Sequence, residues 1–288
     1  MAWLFYGPVM KFSVLGSSSK GNCTFIEHTD RTGGVTRILV DCGHSARQIE
    51  NRLRALGVEA SSIDAVLISH EHTDHVQGLP VFTRRFGTPI YVSNRTRRVL
   101  PRLPGISPFE SGESFGIGNL EIQSFHISHD AVDPVGFVIS AGGARLGIAT
   151  DLGEVTPQVD DALTELDALI LESNYDPELL ATCGYPWSLQ QRIASIRGHL
   201  QNEAAAQFLL SRTSPRLRSV VLAHLSENSN TPHHAHAAMV AGLGAIDPLL
   251  WPLVRCASPA VPTELSEVGS AALAASDGVA SLRTEVAA

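Results

Sequence analysis

The chain has 288 residues, 44% of them hydrophobic and 17% charged, with a net charge of −8; that apolar fraction excludes a disordered protein and is ordinary for a globular one. The acidic balance excludes a nucleic-acid coat or a membrane-surface binder, which carry net positive charge, but not a local basic groove. Its length fits one large domain or two small ones.

In chain order, the opening MAWLFYGPVMKF lacks the basic n-region and long apolar core of a secretory signal, and Met10 is an alternative start. Short β-rich runs follow at Phe12–Leu15, Cys23–Glu27, Arg37–Val40, Ala65–Ser69, Pro89–Val92, Leu120–Phe125, Val135–Ser140, Arg145–Ala149, Ala168–Leu171 and Val220–Ala223. Helical patterns fall between them at Ser45–Leu56, with Ser45 as N-cap, and at Val76–Phe86, Pro186–Ile196, Asn202–Ser211 and Pro232–Leu243. Early strands lie close together and later ones interleave with helices, which predicts an α/β fold of two sheets with helices outside them. Cys23, Cys42, Cys183 and Cys256 form no CxxC pair, so they read as cytosolic thiols and the protein as cytoplasmic. Residues 235–254 come nearest to a membrane span, but His236, Asp247, Pro248 and Pro252 interrupt them. From Ser258 the chain turns small and polar and carries Glu264, Glu267, Asp277 and Glu285 against Arg283. We therefore expect one domain over residues 1–256 and a flexible tail over 257–288.

The strongest feature is Ser69-His70-Glu71-His72-Thr73-Asp74-His75, directly after the strand DAVLIS. A loop leaving a strand aims alternate side chains one way, so His70 and His72 can share one metal while Asp74 and His75 turn to a second. Imidazole and carboxylate suit zinc, manganese or iron. Gly78 would let the following helix approach closely. Single loop histidines are usually solvated, but three histidines and an aspartate within six residues are not explained that way. His129 just past LEIQSFHI, Asp151 after RLGIAT, His224 ending SVVLAH and Asp41 ending TRILV each repeat the pattern of a donor at a strand exit.

Asp41, the His70-His72-Asp74-His75 cluster, His129, Asp151 and His224 match in order the five motifs of the metallo-β-lactamase fold, which the chain resembles over residues 10–245. The resemblance implies a four-layer αββα sandwich holding two divalent metal ions, Zn2+ or Mn2+. It assigns His70, His72 and His129 to one metal, Asp74, His75 and His224 to the other, and Asp151 to both. Asp41 would support the ligand loop from behind. Finer stretches, among them KFSVLGSSSKGNCTFIE, HISHDAVDPVGFVI, LESNYD, YPWSL and LAHLSENSNTP, resemble the WalJ (YycJ) family of small bacterial DNA exonucleases. Gln201, Asn228 and Ser229 depart from that family's pattern and receive no role.

The resemblance implies a two-metal phosphodiesterase, a 5′-to-3′ exonuclease on double-stranded DNA, with a metal-bridging hydroxide as nucleophile. Asp74 would orient that hydroxide, and His199 would give the leaving oxygen its proton. A solvated helix-end histidine explains His199 equally simply. Ser17, Ser18, Ser19, Gly21 and Asn22 fit either an anion-binding nest or a plain hairpin turn. Arg84, Arg85, Arg95, Arg97, Arg98 and Arg102 form the densest basic stretch, a backbone track or, more simply, a solvated face. His233, His234 and His236 start a helix after Pro232 and read as surface or capping residues. DNA is the expected partner, with no membrane and no protein partner inferred. Two other classes compete: a hydrolase of a small ester, thioester or lactone, whose mark would be a closed apolar pocket, and a metal-binding regulatory protein without hydrolysis.

Overall fold

The computed structural model describes residues 9–212, 215–244 and 251–269. One sheet contains β1 (Val9–Gly16), β2 (Cys23–Thr29), β3 (Val35–Val40), β4 (Ala65–Ile68), β5 (Ile90–Ser93) and β6 (Ile106–Phe109), with β14 (Ser266–Val268) on the outer edge of β1. The other runs from β7 (Ser114–Ile117) through β8 (Leu120–His126), β9 (Val135–Ala141), β10 (Ala144–Ala149), β11 (Ala168–Glu172) and β12 (Ser219–Ala223) to β13 (Leu253–Cys256). Strands β3 to β6 are parallel to one another, as are β10 to β13. In such half-sheets the loops at the carboxyl ends gather at one edge, where ligands bind.

The layers follow from which face each strand buries. Phe12, Ile38 and Leu67 of the first sheet meet Phe137, Ile148 and Val221 of the second to form the central core. The outer face of the first sheet packs Leu39 and Val66 against Ile49 and Leu53 of α1 (Ala46–Ala55) and Phe82 of α3 (Leu79–Phe86). On the far side, Leu169 and Leu171 pack against Phe208 and Leu209 of α7 (Asn202–Arg212) and Met239 of α8 (Pro232–Leu243). The result is the expected αββα sandwich. Ser45 caps α1 in a reciprocal pair with Gln48, as its position before the helix predicts.

Two expectations are corrected. The helix expected over Val76–Phe86 is two helices, α2 (Thr73–Val76) and α3, because Gly78 N–H donates to the Cys42 carbonyl and its backbone lies against His44. The remaining helices are α4 (Pro157–Ala162), α5 (Pro177–Thr182) and α6 (Trp187–Ile193), of which only the last was foreseen. The fold also continues past the boundary expected at residue 256. Strand β14 pairs antiparallel with β1, Ala257 and Val268 are buried, and Glu264 and Glu267 face Arg255 and Lys11. Backbone pairing needs no apolar run, so a three-residue strand leaves no periodic signal. The rest of the expected tail, 270–288, and residues 1–8 lie outside the described residues. Among those described, no helix is long and apolar enough to cross a membrane.

Candidate metal centre

Every donor expected from the sequence lies at the edge where the strand exits meet, and they form two adjoining groups. The ligand atoms of His70, His72 and His129 lie within 4.8 Å of one another, and so do those of Asp74, His75, Asp151 and His224. Asp151 Oδ2 is 3.2 Å from His75 Nε2 and its Oδ1 is 3.9 Å from His129 Nε2, so its carboxylate sits between the groups.

Local backbone explains how buried strands deliver these side chains. Asp41, Asp151 and His224 have φ of 62°, 59° and 55°, the left-handed region that non-glycine residues rarely enter and that marks strain held at functional sites. Each turn lies just past a strand that the core fixes.

The histidines are oriented from behind. His75 Nδ1 donates to Asp41 Oδ2 at 2.8 Å, and Asp41 also accepts from the Ser69 N–H and hydroxyl. His129 Nδ1 donates to the Gly198 carbonyl at 3.0 Å. His224 Nδ1 and His199 Nδ1 both donate to Glu172 Oε1, each at 2.9 Å. These bonds leave the Nε2 atoms of His75, His129 and His224 turned toward the groups, the arrangement that fixes tautomer and raises ligand basicity in metal sites.

Asp41, Asp151 and Glu172 are buried and Asp74 partly so. Burial works against ionisation of Asp74, Asp151 and Glu172, yet the histidines around them hold all three carboxyls below the usual range. Burial likewise opposes protonation of His224, but Asp151, Asp74 and Glu172 raise its pKa to about 10; His75 rises for the same kind of reason. His70 and His129 go the other way, mainly through burial. His70 Nε2 is buried without a hydrogen-bond partner, and buried Asp151 Oδ2 has only its 3.2 Å contact with His75 Nε2. Concentrated carboxylates and orphaned donor atoms fit a divalent cation, which would neutralise the first and coordinate the second.

Residues 36–225 match the family model described as a beta-lactamase superfamily domain. The chain is 32% identical over 245 residues to exodeoxyribonuclease WalJ of Streptococcus pneumoniae serotype 2, covering 82% of this chain and 89% of WalJ. Exodeoxyribonuclease YycJ of Bacillus anthracis is also 32% identical, over 227 residues, 77% of this chain and 84% of YycJ. The chain belongs to the metallo-β-lactamase superfamily, in the family of WalJ and YycJ. Its fold is likewise that of the metallo-β-lactamase-fold protein YhfI of Bacillus subtilis, with a TM-score of 0.67 at 18% identity over 90% of this chain and 99% of YhfI. A divalent metal is accordingly part of this superfamily member's chemistry.

The donors open into a cavity of about 400 Å3 lined by His72, Asp74, His129, Asp151, His199 and His224, with α6 on one side. His199 reaches it from the loop between α6 and α7, as expected. Glu172, which holds His199 and His224, is the residue sequence reasoning missed. It ends an apolar strand as Asp41 does, and that was the available signal. Of Ser17–Asn22, Ser19 alone lines the cavity. Ser18 N–H donates to Asn22 Oδ1, Gly21 N–H to the Ser18 carbonyl and Asn22 N–H to the Asp74 carbonyl, so these amides brace the Asp74 loop. The arginines of residues 84–102 are exposed and none lines the cavity; Arg85 pairs with Glu50 at 2.8 Å. His234 Nδ1 meets the Thr231 N-cap hydroxyl at 2.7 Å, a capping contact.

Proposed function

We propose that the chain is a metal-dependent exodeoxyribonuclease acting 5′-to-3′ on double-stranded DNA, with two divalent ions, zinc or manganese. The observation that carries this reading is the convergence of seven donors from both sheets, five of them lining one cavity, in a chain akin to curated exodeoxyribonucleases. His70, His72 and His129 would hold one ion, Asp74, His75 and His224 the other, and Asp151 both. Bound ions supply Lewis-acid polarisation of a phosphoryl oxygen and a water acidified toward neutral pH.

The protein's own part is orientation and proton transfer. Asp41, Gly198 and Glu172 fix the imidazole rings before substrate arrives. Asp74 lies 3.4 Å from both His75 Nε2 and His224 Nε2, placed to orient the attacking water. With Nδ1 donated to Glu172, His199 presents Nε2 to the cavity, where it can hand a proton to the sugar oxygen as the phosphorus–oxygen bond breaks. Water supplies the new phosphorus–oxygen bond, and the products are a nucleotide and a shortened strand.

The test is purified protein with manganese or zinc on 5′-phosphorylated, end-labelled duplex, alongside metal analysis. Progressive loss of label as nucleotides, with about two ions per chain, and its abolition by Asp74→Ala, is the expected result. Intact duplex with both proteins overturns the reading. Turnover of a thioester panel without nuclease activity would move the site to ester chemistry.

A further inference from the structure

One wall of the cavity is not needed by the metal chemistry. Helix α6 closes the cavity yet has no buried residue of its own. Leu189, Arg192 and Ile193, spaced i, i+3 and i+4, share the side that lines the cavity, and Tyr185 continues it just before the helix. The arm is fixed at both ends. The Tyr185 hydroxyl accepts from Asn228 Nδ2 at 2.6 Å, in the loop that follows His224. At the other end the Ile196 carbonyl accepts from the Ser128 hydroxyl at 2.6 Å, beside His129. Gly153, two residues after Asp151, lies so close that a Cβ there would meet the Ile196 backbone at 2.4 Å. Half-buried Tyr185, Leu189 and Ile193 thus form a rigid apolar face held opposite the proposed metal ligands. Arg192, the lysine- or arginine-type cation of that lining, is tied to Asp130 at 2.6 Å.

A volume of about 400 Å3 is at the small end of ligand sites, which span about 300–1,000 Å3. That is room for one nucleotide and not for a paired duplex. A nucleobase offers a flat apolar face whatever its sequence, and a nucleotide carries the anion that an arginine would exchange for an aspartate. We propose that the Tyr185–Leu189–Ile193 face receives the base of the terminal nucleotide, unpaired from its complement, while Arg192 leaves Asp130 for a phosphate of the same strand. This rests on the nuclease reading above, and it would make a strand end, not the duplex interior, the only form of DNA that reaches the metals.

The experiment compares three labelled duplexes with the metal-loaded wild-type protein: a fully paired end, an end with one terminal mismatch, and an end whose terminal nucleotide is abasic. The mismatched end should be degraded several-fold faster and the abasic end about tenfold slower than the paired one. A terminal 2-aminopurine, with a phosphorothioate at the adjacent linkage to hold off cleavage, should brighten on binding as its base leaves the stack. Leu189→Asp and Ile193→Asp should each lower the ratio of DNA turnover to bis(4-nitrophenyl) phosphate turnover by about tenfold. Leu189→Met should restore most of it. Equal rates on the three duplexes, no fluorescence change and an unchanged ratio overturn the inference while leaving the nuclease reading intact. Hydrolysis of the small diester with no DNA hydrolysis at all overturns both.

Discussion

One oxygen of Glu172 accepts from His199 and His224, while the other accepts from the backbone N–H groups of Leu152 and Leu200, each at 3.0 Å. Glu172→Gln removes the charge and cannot satisfy both sides, because an amide nitrogen would face two N–H donors. Turnover and metal affinity should both fall, by about 10- to 100-fold, as for other residues that orient metal-binding histidines. His199→Ala should differ: turnover falls about 10²- to 10⁴-fold with metal content retained. Equal metal loss in that variant would make His199 structural. His44 carries a separate consequence. Burial, then the charge of Arg52, pushes its pKa from 6.5 down to about 4. As pH falls through that window the unfolded chain takes up a proton that the folded chain refuses, so stability drops between pH 6.5 and 4. His44→Asn should flatten that part of the curve in urea midpoints measured from pH 7 to 4, and an unchanged slope would refute the assignment. The donor cluster was legible because its residue types gather at strand exits. Glu172 was not, because an apolar strand absorbs its last residue unless the partner histidines are known to be near.

Between residues and fold stand the loops, and here glycine decides what can pack. The loop after β3 runs under the ligand loop: Asn22 N–H donates to the Asp74 carbonyl, Cys42 N–H to the His75 carbonyl, and Gly43 N–H to Asn22. A Cβ on Gly43 would meet the Asp74 carbonyl oxygen at 1.6 Å and the Asn22 nitrogen at 2.5 Å, both backbone atoms. Gly43→Ala must therefore move the segment that carries Asp74 and His75. Overpacking of this kind costs about 1–3 kcal/mol, and the shift falls on the proposed ligands themselves. We expect a lower Tm together with loss of metal by elemental analysis. A fall in Tm with full metal content would show that the loop relaxes elsewhere. The same crowding at Gly78, where a Cβ would meet the His44 carbonyl oxygen at 1.9 Å, explains why an apolar pattern continuous through Val76–Phe86 folds as two helices. Periodicity reports which residues face the core; it is blind to a neighbouring backbone that interrupts the helix. Left-handed turns at Asp41, Asp151 and His224 were invisible for a related reason, since the sheets impose them against local preference.

At the scale of the molecule, the segment after β13 is a strap across the first sheet. Besides pairing β14 with β1, it accepts Arg52 Nη2 at the Pro259 carbonyl at 2.8 Å and the Ser17 N–H at the Ser258 carbonyl at 3.2 Å. Truncation after Cys256 should expose the edge of β1, lower Tm and promote aggregation measurable by light scattering; a monodisperse protein of unchanged Tm would make the strap dispensable. The opening charge balance also changes meaning at this scale. Four of the 29 acidic residues, Asp41, Asp74, Asp151 and Glu172, gather around the candidate site, where cations would offset their charge.

Those cations would tie the two sheets together. His70, His72, Asp74 and His75 leave the first sheet after β4, whereas His129, Asp151 and His224 leave the second after β8, β10 and β12. Without metal, the carboxylates around His75 and His224 favour the protonated form of each ring. A proton shared within hydrogen-bond distance neutralises charge but does not bind both sheets through one centre. A ligand present at about 100 times its dissociation constant stabilises the state it binds by about 2.7 kcal/mol. For a chain of this size that is worth roughly 4–5 °C. Chelation should therefore lower Tm by that order in thermal denaturation, and restoring zinc or manganese should return it. The loss should also broaden toward low pH, where protons compete with the ion for the same nitrogens. An unchanged Tm on removal of bound metal would show that the carboxylate–histidine network holds the sheets without it.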